Sequence, residues 1–151
     1  MTLVCSKKAD GKANMATLAL WTYDSTNPGK IVFSLNKGTY TLELLVKNKE
    51  VVIAVPGAEL AGALIACRTS SGRDTDKVEK FNVAIQKPDR IDICVPEYTR
   101  SAVAAKLSST VDADDHILHI CDAANGYCDD SVEAVFGRNG YAYAYAELAH
   151  A

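Results

Sequence analysis

Residues 31–41 read Ile31-Val32-Phe33-Ser34-Leu35-Asn36-Lys37-Gly38-Thr39-Tyr40-Thr41. The first half is an apolar run with two β-branched residues, the composition of a strand with a buried face. It stops abruptly in Ser, Asn, Lys, Gly and Thr. Two readings compete. A strand that delivers hydroxyls, backbone N–H groups and one lysine to a single turn makes an anion site of the kind that holds a phosphate. A strand end followed by an N-capped helix explains the same Thr and Gly without a ligand. Spacing alone does not separate the two.

Upstream, Leu3 to Ser6 is a short β-type run. Asp10-Gly11 after it is a hairpin signal. Asn14 to Tyr23 carries Met15, Leu18, Leu20, Trp21 and Tyr23, too continuous for clean alternation. It predicts one strand, bent or buried on both faces. Asp24 to Lys30, with Ser, Thr, Asn, Pro and Gly, predicts a loop.

Downstream, Thr39 or Thr41 can cap a helix over Leu42 to Asn48, with Leu42, Leu45 and Val46 on one face. Val51 to Val55 is an unbroken apolar run stopped by Pro56-Gly57, which predicts a central strand. Glu59 to Cys67 predicts a second helix. Arg68 to Asp76 predicts a loop, and Asp76 to Phe81 a helical turn or two. Ile91 to Val95, Ser101 to Val111 and His116 to Asp122 are β-type runs. Asp112-Ala113-Asp114-Asp115 is an acidic turn, and Asn125-Gly126 and Asn139-Gly140 are further turn signals. Tyr141, Tyr143 and Tyr145 alternate with alanine, a strand with one aromatic face. Short strands with helices inserted mid-chain predict a mainly β fold, an antiparallel barrel with helical insertions, as one domain over residues 1–151.

Composition narrows the function classes. The chain has 151 residues and a net charge of -3. No basic cluster exceeds a pair such as Lys7-Lys8, which argues against nucleic acid as partner. No apolar run is long enough to span a bilayer. Met1 to Lys8 lacks the charged-then-apolar order of a signal peptide, so a cytoplasmic protein is expected. The five cysteines, Cys5, Cys67, Cys94, Cys121 and Cys128, form no Cys-x-x-Cys pair and read as reduced thiols. Adjacent strand residues point to opposite faces, so Asp115 need not touch His116. His119 falls on the face opposite His116, so no metal site is expected. His150 lies near the end of the chain. There is no dinucleotide fingerprint, phosphate-binding P-loop or nucleophile elbow.

The order of motifs is more specific than any one of them. Asp10-Gly11 with Asn14-Met15-Ala16-Thr17 and Trp21, then Ser34 to Thr41, then Ser70-Ser71-Gly72-Arg73-Asp74-Thr75-Asp76-Lys77, then Asp115-His116 resembles the flavin reductase-like, FMN-binding split-barrel family, which includes flavoredoxins. The resemblance covers nearly the whole chain. It implies a six-stranded split barrel, a homodimer, and FMN bound near the subunit interface. It implies that Asn14, Met15, Ala16 and Thr17 lie along the flavin ring. Ser34, Asn36, Lys37 and Thr41, with Leu35 among them, would hold the phosphate and ribityl chain. Ser71, Gly72 and Lys77 would complete the pocket. His116 would be the catalytic residue, near the flavin face. Asn36 stands where the family usually has arginine, which leaves Lys37 as the main phosphate charge. His119 and Cys121 replace what is more often an apolar residue and a glycine.

The function so implied is an NAD(P)H-dependent flavin oxidoreductase with NADH or NADPH as electron donor. The alternative is a non-enzymatic FMN-binding electron carrier, reduced by a redox protein partner.

Overall fold

The computed structural model describes residues 1–139 and 143–148, with side chains described through Val135. Among the described residues eleven strands and three α-helices follow in chain order. They are β1 (Thr2–Lys7), β2 (Ala13–Leu18), β3 (Trp21–Thr26), β4 (Gly29–Asn36), α1 (Tyr40–Asn48) and β5 (Glu50–Pro56). A 3-10 turn (Ala58–Leu60) leads into α2 (Ala61–Arg68), then α3 (Lys77–Lys80), β6 (Ile85–Gln86) and β7 (Val95–Pro96). The long β8 (Thr99–Ala113) and β9 (His116–Cys128) precede β10 (Val135–Asn139) and β11 (Tyr143–Leu148).

Seven strands form one antiparallel sheet in the order β2-β1-β5-β8-β9-β4-β3. Its two edge strands, β2 and β3, are consecutive in the chain and joined only by Ala19 and Leu20. A flat sheet would hold its edges far apart, so this one curls until two residues bridge them. The Leu20 carbonyl accepts from the Ser34 N–H at 3.0 Å, tying that corner to the end of β4. The edges do not pair along their length, which makes the barrel a split one.

Alternation along the buried strands divides two cores. Leu3, Cys5, Met15, Val52 and Ala54 face outward against α2 and the Ile91–Val95 segment. Val4, Ile31, Phe33, Val51, Ile53 and Cys121 fill the barrel interior, where Leu42 and Leu45 of α1 plug one end. Val51 to Ala54 are all at most 1% exposed, as a central strand requires.

The structure corrects several expectations. The single run Asn14 to Tyr23 is two strands, broken at Ala19-Leu20 where the chain crosses from one sheet edge to the other. The stretch Asp24 to Lys30 is not a loop but the tip of the β3–β4 hairpin, with only Asn27 and Pro28 outside its strands. Thr22, Tyr23 and Asp24 are exposed on an edge strand, so backbone pairing alone defines it. Ile91 to Val95 is mostly irregular. Ile91 and Ile93 are buried as core plugs, and only Val95 enters a strand. Asn125-Gly126 lies inside β9, where the Asn125 amide donates to the Arg90 carbonyl at 2.9 Å. The large sheet has seven strands, one more than the resemblance implied. Gly140, Tyr141 and His150 lie outside the described residues, as do the side chains of Tyr143 and Tyr145. No described helix is long and apolar enough to cross a membrane.

Candidate functional site

A groove of about 490 Å³ opens where the ends of β2 and β4, the start of α1, the end of α2 and the start of β9 converge. The local sequence explains the convergence. After Asn36 the chain turns sharply, the Asn36 side-chain oxygen accepting from the Gly38 N–H at 3.0 Å. Thr39 then stands at the N-cap of α1 with no side-chain capping bond. Its hydroxyl instead donates to the Asn36 carbonyl at 2.9 Å. The N–H groups of Tyr40 and Thr41 precede any intrahelical acceptor, so the positive end of the helix meets the groove bare.

Hydroxyls surround that end. The Ser34 and Ser70 hydroxyls line the groove with no hydrogen-bond partner among the described residues. The Thr41 oxygen accepts from the Asn14 amide at 3.1 Å, which leaves its proton to donate. The Ser71 oxygen accepts from the Arg73 N–H at 3.2 Å.

Lys77 closes the floor. It is 4% exposed, and its ammonium donates to the carbonyls of Met15 at 2.8 Å and Cys67 at 3.1 Å. Burial pulls its pKa below the usual lysine value. Two of its three donors are committed, no carboxylate pairs with it, and it lines the groove. A buried cation paired only with carbonyls favours an anion or a strong acceptor beside it.

His116 lines the same groove. Asp115 and His116 touch, a contact that strand alternation left open, with Nδ1 and Oδ1 2.7 Å apart. Asp115 belongs to the turn, not to β9, so alternation does not separate them. The hydrogen bond from His116 holds the Asp115 carboxyl below its usual range. An ionised Asp115 accepts from Nδ1–H, which leaves Nε2 as the ring atom able to take or give a proton.

Of the residues expected at the site, Ala16, Thr17, Ser34, Leu35, Asn36, Thr41, Ser71, Gly72, Lys77 and His116 all line this groove. Three do not. Asn14 is 1% exposed beneath the floor, bonded to Ser6 and Thr41. Met15 is fully buried and contributes only its carbonyl to Lys77. Lys37 turns away, its ammonium 2.8 Å from Asp112 and its N–H bonded to the Asp115 carbonyl. Residues that motif reading passed over also line the groove, including Tyr40, Cys67, Arg68 and Thr69. Tyr40 sat in plain view at the helix start, whereas Cys67 and Arg68 at the end of α2 carried no local signal. The Cys67 thiol is pushed up by burial, opposed by the Lys77 charge. Among the described residues no group of His, Cys, Asp or Glu has the arrangement of a metal site.

With that geometry in place, comparison with known proteins gives one answer. The chain matches the flavin reductase like domain over residues 1–145 and belongs to that family. The structure of the flavoredoxin of Desulfovibrio vulgaris (Miyazaki F) superposes with a TM-score of 0.85 at 18% identity, covering 99% of this chain and 87% of that one. An FMN-binding protein from Thermus thermophilus gives 0.80 at 15% identity, over 97% and 84% of the two chains. The Streptomyces globisporus NADH:FAD oxidoreductase gives 0.78 at 12% identity, over 89% and 78%. No curated protein matches the chain.

Proposed function

We propose that the chain is a flavoprotein that binds FMN in this groove and works as an NAD(P)H-dependent flavin oxidoreductase. The observation that carries the reading is the meeting of a bare helix start, several uncommitted hydroxyls and the buried Lys77 at one groove of a flavin reductase-like domain. The fit to a phosphorylated flavin rests on two features. The N–H groups of Tyr40 and Thr41, with the Ser34 and Thr41 hydroxyls, suit a phosphate. The third Lys77 donor suits a polar edge of a ring system lying against Ala16 and Thr17. The structures of an FMN-binding protein and of an NADH:FAD oxidoreductase share the fold, which supports a flavin without choosing between FMN and FAD.

Bound flavin supplies the redox chemistry, accepting a hydride and passing electrons on. The residues of this chain bind, orient and handle protons. Lys77 and the α1 start fix the two ends of the ligand. His116, oriented by Asp115, holds or releases a proton at Nε2. Lys37 is committed to Asp112, so the phosphate charge falls to the helix start and to the remaining groove donors.

The test is direct. Titration of FMN with the protein should quench flavin fluorescence, and NADH or NADPH should bleach the bound flavin under anaerobic conditions. Quenching without bleaching by either nucleotide would replace the enzyme by the electron carrier, reduced by a redox protein partner. Absence of quenching would end the flavin reading. Ser34→Ala should raise the FMN dissociation constant about five- to ten-fold, and Lys37→Ala should change it much less.

A homodimer is part of the proposal. Leu20 and Tyr23 are 50% and 60% exposed beside a second, apolar groove lined by Trp21, Val55, Val103 and Tyr127. All five cysteines are free thiols, which suits a reducing, cytoplasmic setting.

A further inference from the structure

The loop between α2 and α3 (residues 69–76) forms one wall of the groove through Thr69, Ser70, Ser71 and Gly72. The start of α1 stands against it. Arg73 joins the two. Its Nη1 donates to Glu43 Oε2 at 2.8 Å, and its Nη2 reaches Glu43 Oε1, so the pair is bidentate. The same guanidinium lies 5.5 Å from the centre of the Tyr40 ring. Tyr40 is the first residue of α1 and lines the groove, and Glu43 sits in the first helical turn.

Both partners are about half exposed, at 48% and 52%. A solvated pair contributes little to folding and is screened by salt. Its geometry decides position instead. The loop comes so close to α1 that a Cβ at Gly72 would lie 3.2 Å from Tyr40 Cδ1. The pair also cancels a charge in an awkward place. A bare Glu43 carboxylate in the first turn would repel any anion at the helix start, and Arg73 neutralises it.

We propose that Arg73, Glu43 and Tyr40 form a latch that holds the 69–76 loop against α1 and sets how fast a ligand leaves the groove. The inference rests on the flavin reading of that groove. Opening the latch loosens one wall, and when Arg73 is the residue lost it also exposes the Glu43 charge to the ligand phosphate. The two effects separate by choice of variant and probe.

Release of FMN and of riboflavin from the full chain is measured by stopped-flow fluorescence for wild type, Glu43→Gln, Arg73→Met and the swapped pair E43R/R73E. Both single variants should release riboflavin about five-fold faster than wild type, Arg73→Met at least as fast as Glu43→Gln because it also breaks the Tyr40 contact. The gap between Arg73→Met and Glu43→Gln should be wider for FMN than for riboflavin, because only Arg73→Met leaves Glu43 bare against the phosphate. The swapped pair should restore slow riboflavin release. Wild-type release rates of both probes in both single variants overturn the latch.

A wild-type chain that binds neither probe overturns the flavin reading and the ligand-gating role with it. Amide hydrogen exchange then tests the loop contact by itself. Arg73→Met should speed exchange across residues 69–74 and leave β1 and β5 unchanged, and unaltered exchange there removes the latch altogether.

Discussion

At Gly72 a single hydrogen atom matters. A Cβ there would come 1.8 Å from the Asn14 side-chain oxygen, which is buried, lacks a partner and belongs to an amide held by Ser6 and Thr41. Gly72→Ala should therefore cost about 1–3 kcal/mol in urea unfolding and weaken flavin binding through the displaced loop. His119 is a second costly residue. It is fully buried and stacked on Phe33, with ring centres 5.1 Å apart, and neither nitrogen has a hydrogen-bond partner. Burial lowers its pKa from 6.5, partly opposed by nearby backbone groups of Phe33 and Ile117. The unfolded chain thus takes up a proton below about pH 6.5 that the folded chain refuses. Stability from this group is full above that pH and falls as pH drops, by up to about 1.4 kcal/mol per pH unit. Urea midpoints between about pH 7.5 and pH 5.5 should show the loss, and His119→Phe should remove this component. The sequence placed His119 opposite His116, and that relation follows from strand periodicity alone. Its burial does not, because only the sheet order brings Phe33 beside it.

At the scale of elements, α1 links core to site. Leu45 is fully buried at the barrel end while Tyr40 and Thr41 present the same helix to the groove. Leu45→Ala should cost about 2–5 kcal/mol. It should also lower flavin affinity without touching the groove, since the helix start loses its anchor. Thermal unfolding and FMN titration of one preparation check both. This helix was legible in Leu42 and Leu45, and it ends at the left-handed Lys49, but Val46, expected on the same face, is half exposed and Leu44 is buried in its place. The β3–β4 hairpin was not. Its polar, exposed edge residues are held by backbone bonds that carry no side-chain signature. The length of β8 and β9 was also hidden. Past Leu107 most of β8 is exposed, so pairing with β9 sustains it and burial does not.

At the scale of the whole molecule, the groove exists because a sheet of seven strands closes on itself through Ala19 and Leu20. Exposed Leu20 and Tyr23 lie at and just beyond that link. If the apolar surface beside them is covered by a second copy, sedimentation should give the mass of two chains, and Tyr23→Glu should shift it toward one. A single-chain mass for the wild type would refute the dimer. What the chain determined by itself was local. Apolar runs set the strands and helices, and the quoted stretch carried its own turn, helix start and hydroxyls, because those depend on residues close in sequence. Which of them face one another was decided only by the tertiary structure. Lys37, the obvious charge in that stretch, went to Asp112 across the β8–β9 turn. Lys77, forty residues further along, was carried under the groove, because folding buries it against two backbone carbonyls that no local pattern announces.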